Sequence, residues 1–251
     1  MKRSTISLIV VLLLIVGKTS AQSAVDHSLF DDVLSEYVDD EGWVNYTALA
    51  ENRDQLDQYL SLLRSNHPKD DWTDNEKIAY WINAYNAFTL ELILKHYPLK
   101  GIKDIGSWVQ IPFVNTPWDI KFITIGEKEY DLNNIEHDIL RKEFNEPRIH
   151  FAIVCASYSC PRLAREAYKA ETLDAQLKSA AIDFLNDPRK NTIDPQKPKI
   201  SKIFSWFGGD FKKETTLIEF LNRYVQTPIN EDADVSFRDY DGGLNDQKTQ
   251  S

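Results

Sequence analysis

The sequence lacks the features that bind polyanions or hold a chain in a membrane. Lys and Arg number 29 against 39 Asp and Glu, a formal net charge of −10 at pH 7. Phosphate backbones and anionic headgroups attract basic patches, so such a surface makes nucleic-acid and membrane-surface binding poor readings. Solubility alone accounts for the acidity. The single long apolar run, Ile6 to Val16, falls short of the roughly 20 residues that span a bilayer. With no second run, no membrane insertion is expected after its removal. No cysteine follows it, which argues against a lipid-anchored lipoprotein. Repeats, low-complexity tracts and Gly/Ser/Pro linkers are absent too, so residues 22–251 read as one domain.

What is present begins with an export signal. Lys2 and Arg3 precede the apolar run, and Thr19, Ser20 and Ala21 follow it, the basic, apolar and small-residue parts of a cleavable leader. Cleavage after Ala21 is expected, leaving an exported periplasmic or extracellular protein of about 230 residues. Loss of Lys2, Arg3 and Lys18 takes the charge from −10 to near −13. Hydrophobic residues at 42% are enough to build a core. Residues 22–25 and the tail after Asn245 have nothing to bury and read as short disordered ends. Asn45-Tyr46-Thr47 is a glycan acceptor only in a eukaryotic secretory route.

Helical spacing marks His27 to Val38 and Thr47 to Arg64, with Trp43 to Tyr46 an extended link. Thr73 and Glu76 form a capping-box signature for a long helix from Asp74 to about His96, ending before Pro98. Phe122–Ile125, Gly126-Glu127 and Lys128–Tyr130 read as a hairpin, and Leu132 to Phe144 as helix. Ile149 to Val154 is a short apolar run of the kind that forms an interior strand. Helices follow at Leu173–Leu185 and Thr215–Val225, with extended pieces at Lys199–Ile203 and Val235–Phe237 joining the sheet. Helices come first and strands later, so the class is α+β: several helices on a small mixed or antiparallel sheet.

Two places could carry chemistry. On the long helix Asn83 and Asn86 lie three apart, on one face, among Trp81, Tyr85 and Phe88. Their amides either tie neighbouring loops within the core or line a site as oxyanion donors. The second place is His150 to Leu163. A strand would deliver Cys155, and a helix beginning near Pro161 would put Ser159 or Cys160 at its start, where a thiol's pKa falls. His150 and Cys155 would leave opposite strand faces, but His150 could meet Cys160 once the loop folds back. Export permits a Cys155–Cys160 disulfide, a reactive pair or two buried thiols. Glu136 and His137 are adjacent on a helix and do not face one another, so no metal site is assigned to them, and no cofactor is assigned.

Trp81-Ile-Asn-Ala-Tyr-Asn86, Ile135-Glu-His137 with Leu140-Arg141, and His150-Phe-Ala-Ile-Val-Cys155 with Ser159-Cys-Pro161 resemble the domain of unknown function 547, in order from about Leu34 to Asn245. The family's closing Tyr-Asp-Trp-Ser-Leu-Asn is similar to Tyr240-Asp-Gly-Gly-Leu-Asn245, with Gly242 and Gly243 replacing Trp and Ser. The resemblance implies a fold and a shared set of residues and names no reaction.

Two functions fit. One is a binding or assembly module, stapled by Cys155–Cys160, for an extracytoplasmic ligand or protein. The other is a thiol-dependent hydrolase or acyl-transferase using Cys160 or Cys155 with His150, and Ser159, Asn83 and Asn86 nearby. A distant papain- or transglutaminase-like arrangement would suit the second only if permuted, because those folds place cysteine on the central helix. Dithiol redox chemistry and a metal held by Glu136, His137, His150 and a thiolate are further readings.

Overall fold

The computed structural model describes residues 25–105 and 116–250; the expected signal lies outside them. α1 (Ser28–Tyr37) buries Phe30, Val33, Leu34 and Tyr37, the helical spacing read from the sequence. The expected helix from Thr47 to Arg64 is two helices, α2 (Tyr46–Glu51) and α3 (Asp54–Ser65). The break falls at Asn52, whose backbone N–H and side-chain amide both donate to the Ala48 carbonyl and close the first helix. α1 and α3 meet through Phe30 and Tyr59, stacked 4.8 Å apart.

α4 (Asp74–His96) opens on the capping box of Thr73 and Glu76, as expected. Every residue from Ile78 to Leu94 is buried, so this is a core helix surrounded on all sides. The hairpin forms as expected: β1 (Ile123–Ile125) pairs antiparallel with β2 (Lys128–Tyr130), and Gly126 takes the turn at φ +61°. Beyond it, Asn134–Leu140 is a π-helix running into the short α5 (Arg141–Glu143).

The expected interior strand is not there. Pro147–Phe151 is a 3-10 helix closed by Ala152 in right-handed helical backbone, and Ile153 and Val154 follow outside any sheet. An apolar run specifies burial without specifying the backbone conformation. No helix begins at Pro161 either, so Cys160 and Ser159 stand in a turn instead of at a helix start.

α6 (Leu173–Asn186) follows, then β3 (Lys199–Ile200), α7 (Ile203–Trp206), α8 (Gly208–Phe211), α9 (Leu217–Asn222) and β4 (Ser236–Phe237). β3 and β4 pair parallel with each other and do not join the hairpin. Helices therefore dominate the described residues, with two separate two-stranded sheets. Those sheets give the papain- or transglutaminase-like comparison no support.

Two cores result. The larger gathers α1 to α4 with the hairpin and the π-helix. The smaller is rich in phenylalanine, with Phe151, Phe184, Phe204, Phe211 and Phe220 in contact. Tyr240 packs against both. The tail after Asn245, read as loose, is instead pinned: Asp246 bridges to Val44, its carboxylate accepts from Tyr97 at 2.7 Å, and Gln247–Gln250 forms a 3-10 turn. The segment has little apolar surface to bury; hydrogen bonds hold it. None of the described helices is long and apolar enough to cross a membrane.

Candidate functional site

The two asparagines of α4 turn out to be clamps. Asn86 Nδ2 donates to the Ala152 carbonyl and its Oδ1 accepts from Val154 N–H, both at 2.9 Å. Asn83 treats Tyr168 the same way, donating to its carbonyl at 2.8 Å and accepting from its N–H at 2.9 Å. Each amide thus pairs a backbone carbonyl and a backbone N–H that no strand pairs, and satisfies groups that burial would otherwise orphan. Three residues apart on one helical face, they hold the chain on both sides of the cysteine loop. This is the loop-tying role weighed against an oxyanion role, and neither asparagine lines the cavity described below.

Between the clamps Cys155 and Cys160 form a disulfide. The connecting turn carries Ala156 at φ 59°, left-handed backbone rarely used by a residue with a side chain. The closing segment holds this turn in register. Tyr158 N–H donates to Gly243, Ser159 N–H to Asp241 and Asn245 N–H to Ala156, while Ser159 Oγ accepts from Asp241 N–H at 2.8 Å. Ser159 is therefore engaged in holding the loop. At the head of that segment the Tyr240 hydroxyl stands 3.1 Å from both sulfurs. A disulfide sulfur carries no thiolate, so the nucleophile of the thiol reading is masked in this state.

The disulfide forms one wall of a cavity of about 200 Å³ lying where the two cores meet. Its aromatic lining is Tyr85, Trp118, Trp206, Phe207 and Tyr240. Trp206 is 51% exposed, a large apolar side chain left in water at the mouth, packed 4.8 Å from Tyr240. The ionisable lining is Glu136, His137 and His150. Adjacent residues diverge less around the wide turn of a π-helix than on an α-helix, and Glu136 and His137 both reach the cavity. Such turns often mark functional sites.

Glu136 is 8% exposed. Burial drives its carboxyl up from about 4.5 to about 7, against the pull of the Arg141 charge and the Tyr85 hydroxyl. Among the described residues its only hydrogen bond comes from Tyr85, long at 3.4 Å. His137 Nδ1 lies 3.9 Å from Glu136, but that nitrogen accepts a hydrogen bond from Arg141 at 2.9 Å and carries no proton to share. The pair is not an ion pair. Among the described residues Glu136 is a buried acid with no ion-pair partner in contact.

The other groups are satisfied. His150, expected on a strand, lies at the end of the 3-10 helix, stacked 4.1 Å from Phe207, and its Nε2–H donates to Asp210 at 2.7 Å. Burial lowers the pKa of His150, more than its carboxylate neighbour raises it. Asp210 also takes both arms of Arg141, at 2.6 and 3.1 Å. Partial burial pushes Asp210 up, but these donors outweigh it and hold the carboxyl well below the usual range. Sequence reasoning missed Asp210, Trp206 and Phe207. They come from chain far beyond His150, with no local pattern to mark them. Among the described residues no cluster of three His, Cys, Asp or Glu could hold a metal. A larger groove along α6 is lined by charges that neutralise one another, Arg162 with Asp183, Arg165 with Asp40 and Arg189 with Glu41.

The site is thus a helical protein's aromatic cavity, walled by a disulfide and floored by a lone acid. Residues 69–185 match the family model described as "Protein of unknown function, DUF547". The match is shorter than the span from Leu34 to Asn245 over which the motifs resemble the family. It contains the clamps, the disulfide, Glu136, His137 and His150; Trp206, Phe207, Asp210 and Tyr240 lie beyond it. No curated protein and no solved structure matches the chain.

Proposed function

We propose that the chain is an exported binding module whose ligand seat is the cavity beside the Cys155–Cys160 disulfide. The observation that carries this reading is the Glu136 carboxyl, 8% exposed, facing an aromatic cavity with one long hydrogen bond to its name. Leaving a buried polar group so poorly paired costs stability, and a ligand that completes its bonding recovers that cost. The disulfide and the two asparagine clamps hold the wall in shape, the pre-formed character that small-molecule sites share. The leader-like N-terminus supports export, as does a disulfide that persists outside a reducing compartment.

Trp206 reports on occupancy. In a titration of the mature protein with a small-fragment set, at least one fragment should quench tryptophan emission. The Trp206→Ala variant, altered at an exposed position, should lose that response. A set that binds nowhere, or binds without regard to Trp206, refutes the seat. Intact mass of the secreted product tests export and should begin at residue 22.

A thiol-dependent hydrolase is the second reading. It is favoured by His150 lining the same cavity as both cysteines while Asp210 orients its imidazole. It requires reduction first. Denatured, unreduced protein should show no titratable thiol under the binding reading. Two thiols, one alkylating natively with an apparent pKa well below ~8.5, would favour the hydrolase. In that case Cys160→Ser should abolish labelling more than Cys155→Ser.

A further inference from the structure

We propose that the cavity selects a small organic monocation, an alkylammonium head seated on the Glu136 carboxylate and enclosed by Trp118, Trp206, Phe207 and Tyr240. The inference rests on the binding reading and names its ligand class. It follows from the charges around the cavity. Arg141 and Asp210 are closed on each other in a two-armed ion pair. His150 donates to the same Asp210, and burial keeps its imidazole neutral at neutral pH. His137 is held neutral by burial and by Arg141 beside it. From the neighbouring turn, Asp119 is occupied by Thr116 and by Asn133. Among the described residues the Glu136 carboxylate is the one charge on the lining with no counter-charge in contact, and its sign calls for a cation.

The remaining lining excludes the obvious alternatives. An anion would be placed against Glu136. A polyol needs free donors and acceptors in number, and beside Glu136 and His137 three of the polar groups on the wall are already engaged. Asn133 donates to Asp119 at 2.6 Å, Tyr85 reaches Glu136, and the Tyr240 hydroxyl lies against the sulfurs. A sugar bound there would leave buried hydroxyls unpaired. Aromatic faces have the opposite preference, since their quadrupoles attract a weakly hydrated ammonium. Because burial lifts the Glu136 carboxyl to about 7, a cation should bind better as pH rises from 6 to 8 and the group ionises.

The test is titration of the mature protein at matched ionic strength with three probes: choline chloride, its neutral isostere 3,3-dimethylbutan-1-ol, and methyl N-acetylglucosaminide. At pH 8 choline should bind at least tenfold tighter than the isostere. That advantage should shrink severalfold at pH 6 and in Glu136→Gln, while Trp206→Ala weakens both ligands and choline the more. Equal binding of choline and the isostere overturns the cation proposal and leaves the binding seat standing. So does a preference undiminished in Glu136→Gln, or binding of the sugar alone. Binding of no probe overturns the cation proposal, and the seat then stands or falls on the fragment titration alone. If Glu136→Gln fails to fold, the pH dependence of the wild-type preference decides, and a flat profile refutes the assignment.

Discussion

Replacing Asn86 with alanine tests whether α4 holds the cysteine loop. The side chain is buried at 3% exposure and makes two hydrogen bonds of 2.9 Å, to the Ala152 carbonyl and from the Val154 N–H. Alanine removes both at once and leaves two backbone groups unpaired, each at a cost of about 1–3 kcal/mol. The expected loss is about 4 kcal/mol, a large share of the roughly 5–15 kcal/mol that stabilises a folded domain. Asn75→Ala, at an exposed position on the same helix with one long bond of 3.4 Å to Ala170, should change stability by less than ~0.5 kcal/mol. Urea unfolding of both variants with the disulfide intact gives the comparison. Asn86→Asp separates the two bonds, keeping the acceptor for Val154 and setting a carboxylate against the Ala152 carbonyl; it should be at least as damaging as alanine. A loss below ~1 kcal/mol for Asn86→Ala would mean that Ala152 and Val154 find other partners, and the clamp would be the wrong account of this loop.

The other expectations concern the acid and the bridge. The Glu136 carboxyl titrates near 4.5 unfolded and about 7 folded, so the folded state holds the extra proton between those values. The stability this contributes is complete below the lower pH and is lost as pH rises through the upper one. Relative to Glu136→Gln, the wild type should therefore lose on the order of 3 kcal/mol between pH 4.5 and 8, and parallel stability curves for the two proteins would contradict the burial argument. Replacing both Cys155 and Cys160 with alanine opens a loop of separation 5, for which chain entropy gives a loss of about 2 kcal/mol. Thermal unfolding measures it, and an unchanged midpoint would show that the hydrogen bonds from residues 240–245 hold the turn unaided.

Where a signal is local, the sequence expresses it. Thr73 and Glu76 start α4 because the capping box needs only residues three apart, and Pro98 bounds its end. Gly126 turns the hairpin for the same kind of reason. Asn83 and Asn86 were recognisable as out of place in an apolar helix; their partners were not, because Ala152, Val154 and Tyr168 are more than sixty residues away. The run from Ile149 to Val154 misled because an apolar stretch coiled into a buried 3-10 turn and tied off by one side-chain amide looks the same in sequence as a strand paired by a neighbour. The adjacency of Glu136 and His137 argued against a shared site on α-helical geometry, and the π-turn that brings both to the cavity has no signature in the residues.

What the chain determines by itself is its periodic and capped pieces: α1, α4, the hairpin, α6, an acidic surface and two cysteines close enough to bridge. Those depend on forces acting over a few residues. Only tertiary packing decided that the cysteines bridge beneath Tyr240, that Asp210 takes both Arg141 and His150, and that Glu136 is left without a counter-charge. Desolvation and ion pairing depend on which distant groups arrive at the same place, and that is fixed by how the two cores fit together.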